Sequence, residues 1–153
     1  MTSTANGQTS LGHGYYLEDL SPGMEASVSK TITDEDVRTF AALSGDVNPV
    51  HLDDDFAAGT IFKKRIAHGF LTGALFSTVL GTKLPGPGCI YLSQTMKFKA
   101  PVYIGDEVVA TCTISAVDTE KGRVTLACVC SIAGKPVLEG EALMMVDRRP
   151  TSQ

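Results

Sequence analysis

The chain has 153 residues, 43% of them hydrophobic and 20% charged, which suits one globular domain with a sizeable core. Its 13 basic and 17 acidic residues give a net charge of −4, and the absence of a long basic stripe argues against a nucleic-acid partner. No run of about 18 apolar residues occurs, so neither a transmembrane helix nor a membrane partner is expected.

The chain opens with a polar segment, MTSTANGQTSLGHG, over residues 1–14. It lacks an apolar signal core and contains no Arg or Lys, so we interpret it as a disordered leader and not as a targeting signal. A single domain is then expected over residues 15–148. We predict a cytoplasmic protein, or a mitochondrial-matrix protein if a longer transit peptide has been trimmed.

A first helix is predicted to begin after Thr33 and to end at Gly45. Thr33 can act as the N-cap, and three acidic residues follow it at the positive end of the helix. Gly45 stands where a left-handed residue commonly ends a helix. Because Pro49 disfavours the helical conformation at Asn48, residues 46–51 are predicted to form an ordered turn.

The middle of the chain predicts one short and one fully apolar helix. Residues 53–58 suit a short helix, and residues 59–68 suit a loop whose basic run, at 63–65, is interpreted as solvated. The segment GFLTGALFSTVLGT, residues 69–82, is apolar or small nearly all the way round, so this helix should be buried on all sides. The sequence LPGPG at 84–88 ends it.

The hydrophobic period changes to two in the second half of the chain. Short turns separate these β-branched runs, which favours antiparallel hairpins over residues 90–98, 107–117, 123–132 and 136–146, with further strands suggested at 16–20 and 25–32. A buried helix followed by antiparallel strands is an α+β pattern, and wrapping a curved sheet around the helix gives the hotdog fold. One sheet covers only part of such a helix, so a homodimer is expected.

The four cysteines show no CxxC spacing and are interpreted as small buried hydrophobic residues: Cys89, Cys112, Cys128 and Cys130. A zinc site or a disulfide framework is therefore not expected, and a reducing compartment fits better. We predict neither a metal nor a cofactor.

The stretch GDVNPVH, residues 45–51, places a carboxylate, Asp46, and an imidazole, His51, five positions apart on the predicted turn. Asp favours turns, the Asn48 amide can brace one, and a single histidine is often a hydrogen-bonded surface residue, so a structural role stays open. The other interpretation is a catalytic pair on a bent loop, because such groups can share the proton transfers of one reaction.

Three segments together resemble the MaoC-like hydratases: FAALSGDVNPVHLDDDFA, IAHGFLTGALFS and LPGPGCIYLSQTMKFKAPVYIGDEV. The similarity extends over residues 20–146 and is closest to the (R)-specific enoyl-CoA hydratases and the type 2 hydroxyacyl-thioester dehydratases. The resemblance implies reversible hydration of a trans-2-enoyl thioester to the (R)-3-hydroxyacyl thioester, with acyl-CoA or an acyl-carrier-protein thioester as the substrate.

The resemblance also implies roles for individual residues. Asp46 and His51 match the catalytic pair, and Gly69 matches the glycine whose N–H binds the thioester oxygen. A glycine at a helix start suits that role, because the N–H lacks a partner and no Cβ blocks the approach. Supporting roles fall to three residues: Asn48 in the turn, Ser77 on the central helix and His68 before it.

Three alternatives remain at this stage. A 3-hydroxyacyl-carrier-protein dehydratase differs mainly in what carries the acyl chain. A hotdog acyl-CoA thioesterase would cleave the thioester and would not need the D-x-N-P-x-H turn. A non-catalytic acyl-thioester-binding subunit would be expected to lose Asp46 or His51.

The basic run at 63–65 is weakly suggestive of contacts with the phosphates of coenzyme A.

Overall fold

The computed structural model describes residues 12–151 and, for the backbone alone, residues 2–3 and 9–10. The strands are β1 (Thr2–Ser3), β2 (Thr9–Ser10), β3 (Glu25–Thr31), β4 (Ile90–Gln94), β5 (Lys97–Phe98), β6 (Glu107–Asp118), β7 (Arg123–Ile132) and β8 (Lys135–Met145). The helices are α1 (Asp34–Ser44), α2 (Pro49–Leu52), α3 (Asp54–Ala58) and α4 (Gly69–Thr82).

One antiparallel sheet forms the framework of the domain. Its strands are hydrogen-bonded in the order β3-β6-β7-β8-β4, and β5 also pairs with β8. Side chains alternate between the two faces along β6 and β7, as strand geometry requires. The inward-facing ones are buried in the core: Val108, Ala110, Cys112, Ile114, Val124, Leu126, Cys128 and Cys130.

Helix α4 lies against the concave side of this sheet, where it contacts β3, β6 and β7. Its sheet-facing side chains are buried: Thr72, Leu75, Phe76, Val79 and Leu80. The expected hotdog arrangement is therefore confirmed. Although α4 is apolar, no helix in the described part of the chain is both long enough and apolar enough to cross a membrane.

As expected for a single chain, the sheet covers only part of α4. A sheet covers one side of a helix, and the opposite side is open to solvent at Phe70, Ala74, Ser77, Thr78 and Gly81. Phe70 is 67% exposed. This exposed face of α4 adjoins β4, where Ile90, Tyr91 and Leu92 are also exposed.

Two of the suggested strands differ in the structure. Residues 17–19 form a single 3-10 turn, because the Asp19 carboxylate accepts the N–H of Tyr16 at 2.9 Å and closes the segment locally. The run at 90–98 is interrupted at Thr95 and Met96, which separate β4 from β5, and β4 itself has an irregularity between Tyr91 and Ser93. The other strand bounds agree with the expected ones to within one residue.

The predicted leader falls largely on residues that lie outside the described part of the chain. Where it is described, β1 pairs with β2, and Gly14 bonds to the domain, donating its N–H to the Pro87 carbonyl at 2.8 Å. Gly14 also packs so closely on Pro85 and Gly86 that a Cβ there would collide with their backbone. Contact with the domain thus begins before residue 15.

The cysteines behave as apolar core residues. Cys112, Cys128 and Cys130 are fully buried, and Cys89 is half-buried. Cys112 and Cys128 face one another across β6 and β7 with their sulfurs 3.6 Å apart, and both are free thiols. This confirms their interpretation as small hydrophobic residues.

Candidate active site

The bend after α1 is held by bonds between side chains and nearby backbone groups. Gly45 ends α1 in the left-handed region, at φ 81°, as predicted. Ser44 Oγ donates to the Phe40 carbonyl at 2.7 Å and accepts the N–H of Asp46 at 3.1 Å. The residue that begins the motif is therefore fixed to the end of a regular helix.

The rest of the bend is braced by Asp46 and Asn48. Asp46 Oδ1 accepts the N–H of Asn48 at 3.2 Å, and Asn48 Oδ1 accepts the N–H of Val50 at 3.2 Å. Asn48 is thus the N-cap of α2, and Pro49 occupies its first position, where no N–H is needed. The predicted turn over 46–51 is consequently a shorter turn followed by one turn of helix that carries His51.

His51 is held as a neutral imidazole with a defined tautomer. Its side chain is buried, and Nδ1 lies 2.7 Å from the carbonyl of Ile66. Because a carbonyl can only accept, Nδ1 carries the hydrogen and Nε2 is left with a lone pair. Burial lowers the pKa of His51, and the nearby His68 lowers it further, against the opposing effects of the Ile66 carbonyl and Asp46.

The lowered pKa of His51 predicts the acid side of the pH–rate profile. The hydration that the family resemblance implies would need the unprotonated Nε2, so kcat/KM is expected to be level above the ordinary histidine value of 6.5 and to fall only below it. A profile of kcat/KM from pH 5 to 8.5 measures this directly. An inflection at or above pH 7 would contradict the assignment of His51 as a buried, neutral acceptor.

His68 supports both members of the pair. It is 2% exposed, and its Nε2 lies 2.9 Å from the backbone carbonyl of Asp46, to which it must donate. Its ring stacks on that of His51 with centroids 3.9 Å apart, and the Phe40 ring also packs against it, at 4.7 Å. The predicted position of His68, directly before the helix, is confirmed, and the two contacts give it a bracing function.

Asp46, His51 and His68 converge on one small space. A carboxylate oxygen of Asp46 and one ring nitrogen from each histidine lie within 4.8 Å of one another. Such a set also includes the donor types that bind a divalent metal. One nitrogen of each ring, however, is already committed to a backbone carbonyl: Nδ1 of His51 to Ile66 and Nε2 of His68 to Asp46. The geometry suits a water molecule between Asp46 and His51.

Gly69 lines a cavity that His51 also lines, whereas Asp46 and His68 are not among the residues that line it. As the first residue of α4, Gly69 has an N–H without a partner inside the helix, at the positive end of the helix dipole. Gly69 and His51 line one cavity of about 390 Å³, together with apolar side chains that include Phe62, Phe70, Phe98 and Leu138. A Cβ at position 69 would collide with the Phe98 ring, so the close packing of that ring also requires glycine.

Ser77 is not brought to this cavity. It lies eight residues beyond Gly69, about 12 Å along the helix at 1.5 Å per residue. It is on the exposed face of α4, where it lines a separate open groove with Phe40, Phe70, Gly73 and Met96 among others. Phe70 borders both spaces, so they adjoin. A role for Ser77 stays a prediction that depends on this groove.

Arg65 was wrongly interpreted as part of a solvated basic run. It is 9% exposed, its Nε donates to the His51 carbonyl at 2.8 Å, and its Nη2 donates to Asp34. The Arg65 guanidinium, with Arg38, lowers the pKa of the Asp34 carboxyl. Arg65 therefore ties the start of α1 to the short helix α2 that carries His51. Sequence spacing gave no signal for this bond, because Asp34 and Arg65 are 31 residues apart.

Residues 20–131 match the family described as "MaoC like domain". The chain is 53% identical over 135 residues to the (R)-specific enoyl-CoA hydratase of Rhodospirillum rubrum, covering 88% of this chain and 94% of the relative. It is 48% identical over 134 residues to the 3-hydroxybutyryl-CoA dehydratase of Methylorubrum extorquens, covering 88% and 85%.

Solved structures of hydratases share the fold. The (R)-hydratase from A. caviae involved in PHA biosynthesis superimposes with a TM-score of 0.82 at 43% identity, over 84% of this chain and 98% of that one. The unliganded (R)-hydratase PhaJ1 from Pseudomonas aeruginosa superimposes with a TM-score of 0.84 at 41% identity, over 92% and 93%.

Proposed function

The chain belongs to the MaoC-like domain family, and from this membership we propose that it is an (R)-specific enoyl-CoA hydratase, a hydro-lyase acting on trans-2-enoyl-CoA. In reverse, the same site dehydrates (R)-3-hydroxyacyl-CoA. One observation carries the proposal: neutral His51, with Nδ1 committed to Ile66, has a ring nitrogen within 4.8 Å of an Asp46 carboxylate oxygen and lines one cavity with Gly69, the first residue of α4. The names of the two similar relatives, a hydratase and a dehydratase, support it.

The first step is the attack of water on C3. The Asp46 carboxylate and His51 Nε2 are both acceptors, so one water can donate a hydrogen to each and direct a lone pair at the substrate. As the C3–O bond forms, the π electrons of C2=C3 shift toward the thioester and charge builds on its oxygen. The Gly69 N–H donates to that oxygen, and one such donor contributes on the order of 10²- to 10³-fold in rate.

The second step returns the proton. The pair takes one proton from the attacking water, and the enolate collapses as a proton from the pair reaches C2, so the elements of one water are added across the double bond. Which group holds the proton in between is a property of the coupled pair and not of either residue alone. Arg65 and His68 take no proton in this scheme; they hold the loop that carries the pair.

A 3-hydroxyacyl-carrier-protein dehydratase would use the same chemistry and is the second candidate. A more distant relative, from Solanum lycopersicum, carries that name at 35% identity. Thioesterase activity is less well supported, because it makes no use of an Asp46–His51 pair arranged around one water.

The test is an absorbance assay of crotonyl-CoA and longer trans-2-enoyl-CoAs with the full chain, run beside a thiol assay on the same samples. Loss of the enoyl absorbance without release of free thiol is the expected result. Thiol release at the rate of absorbance loss would replace the hydratase by a thioesterase. Loss of absorbance only with the crotonyl-carrier-protein thioester would favour the second candidate.

The quaternary state proposed is a homodimer that covers the exposed face of α4. That face and the adjoining β4 expose large apolar side chains, including Phe70, Tyr91 and Leu92, and a second copy can cover both at once. Light scattering is expected to give a mass twice the 16.2 kDa of the chain at micromolar concentration.

A matched pair of variants tests which face is used. Ala74→Glu, on the exposed face of α4, should shift the mass toward the monomer, because it would place a carboxylate in an apolar interface. Thr119→Glu adds the same charge on the exposed turn between β6 and β7 and should leave the mass unchanged. A monomeric parent would contradict the dimer, and a dimeric Ala74→Glu protein would contradict its placement on α4.

A further inference from the structure

A second cavity, of about 360 Å³, adjoins the catalytic one on the far side of Phe62. It is lined by Lys63, Lys64, Tyr103 and three neighbours, Asp54, Arg65 and Ile104. Phe62 lines the catalytic cavity, and its carbonyl accepts the hydroxyl of Tyr103, which lines the second cavity, at 2.9 Å. Lys63, the next residue along the chain, also lines the second cavity, so the two spaces are neighbours.

The positive charge of this second cavity is available to a ligand. Arg65 is committed to Asp34 and to the His51 carbonyl. Among the described residues, neither Lys63 nor Lys64 has a carboxylate within 4.0 Å, whereas Asp54, 86% exposed, lies at that distance from Arg65. The chain has a net charge of −4, so two neighbouring lysines without carboxylate partners create a locally positive potential on a negatively charged protein.

The two lysines are presented by a backbone that is fixed in place. Lys63 adopts φ 66°, a left-handed conformation that non-glycine residues seldom adopt. Tyr103 is held at both ends, by its hydroxyl bond to Phe62 and by its N–H bond to Asp106 at 2.8 Å. Lys64 Nζ lies 4.6 Å from the centroid of the Tyr103 ring. A flat ring and two cations thus line a cavity that neighbours the catalytic one.

We propose that Lys63, Lys64 and Tyr103 form the binding site for the nucleotide end of coenzyme A, with the lysines on its phosphates and the tyrosine ring beside its adenine. This rests on the proposed hydratase function. Lysine commonly binds phosphate as a point charge. An aromatic side chain can stack on any nucleotide base, adenine included. The site makes coenzyme A, and not a carrier protein, the preferred carrier of the acyl chain.

The experiment compares two thioesters that differ only in the nucleotide. Crotonyl-CoA and crotonyl-pantetheine present the same acyl group and the same thioester arm, but the second lacks the adenosine and its phosphates. For the Lys63→Ala/Lys64→Ala variant, KM for crotonyl-CoA is expected to rise about tenfold with kcat unchanged, since the lost contacts are equal in the ground and transition states. KM for crotonyl-pantetheine should not change. Alanine has the same Cβ as lysine, so the backbone at position 63 gains no new strain.

The control variant is Lys121→Ala/Lys135→Ala, which removes two exposed lysines, one in the β6–β7 turn and one at the start of β8, and lowers the net charge equally, from −4 to −6. It should keep the parental KM for both thioesters. Raised salt should increase KM for crotonyl-CoA in the parent and much less in the Lys63→Ala/Lys64→Ala variant.

Three results would overturn the site: an unchanged KM for crotonyl-CoA in the Lys63→Ala/Lys64→Ala variant, an equal rise in the control variant, or an equal rise with crotonyl-pantetheine. A loss seen only with the crotonyl-carrier-protein thioester would assign the lysines to an acidic carrier protein instead. If the proposed hydratase function itself fails, the parent hydrates neither small thioester, which is a different outcome from all of these.

Discussion

Asp46→Asn and His51→Ala are each expected to lower kcat for crotonyl-CoA hydration by about 10²- to 10⁴-fold, the range for one well-placed acid or base. Asn keeps the shape and the Oδ1 bond to the Asn48 N–H but loses the basic carboxylate. Ala removes the Nε2 acceptor together with the Nδ1–H bond to Ile66. Turnover is measured by enoyl absorbance after each variant is shown to melt like the parent.

The Asp46→Asn/His51→Ala double variant tests whether the two side chains act together or independently. Because Asp46 and His51 are proposed to hold the same water, the double variant should be little worse than either single one.

Asn48→Ala should lose less activity, since it removes the cap of α2, worth about 1 kcal/mol, and leaves both reacting groups in place.

Two control variants remove the same kinds of group elsewhere. Asp55→Asn, on the exposed side of α3, and His13→Ala, near the chain start, should keep parental turnover. Near-parental turnover in both Asp46→Asn and His51→Ala would mean that GDVNPVH is a structural turn only.

Filling the space over Gly69 is the second change with a large expected effect. A side chain at this position should block the thioester oxygen from the N–H at the start of α4 and lower kcat by about 10²- to 10³-fold. A substitution in the parent would be ambiguous, because any Cβ there also collides with the Phe98 ring. The informative comparison is therefore Gly69→Val within a Phe98→Ala background.

The Phe98→Ala background removes the collision at modest cost, because Phe98 is 53% exposed. Gly69→Val/Phe98→Ala is expected to melt near Phe98→Ala alone and to have far lower turnover than it. Equal turnover in the two would rule out the Gly69 N–H as the donor to the thioester oxygen.

The sequence was sufficient to predict those helices and strands whose ends are determined by residues close to them in the chain. The bounds of α4 followed from an apolar run closed by LPGPG, and the bounds of α1 followed from the cap at Thr33 and the left-handed Gly45. The antiparallel strands β6 and β7 followed from alternation and short turns. In each case the sequence signal and the structural cause lie within a few residues of one another.

The errors arose where the cause is distant along the chain. Arg65 sits in a run that reads as solvated, yet it is buried because Asp34 and the His51 carbonyl satisfy its guanidinium. His68 was expected to have a supporting role at the start of α4, but its contact with His51 comes from the fold alone. The apolar pattern of α4 indicated burial but did not define which of its side chains the sheet leaves exposed.

The configuration of the product is the most direct test of the proposed (R)-specific hydration. The full chain is incubated with crotonyl-CoA until the enoyl absorbance stops falling, and the 3-hydroxybutyryl-CoA formed is offered separately to dehydrogenases specific for the (R) and the (S) form. The Asp46–His51 pair, acting from one side of a substrate held at Gly69, predicts a single enantiomer, and the similarity to an (R)-specific hydratase predicts that only the (R)-specific enzyme will oxidise it. Oxidation by the (S)-specific enzyme, or no hydrated product at all, would contradict the proposed (R)-specific hydratase function.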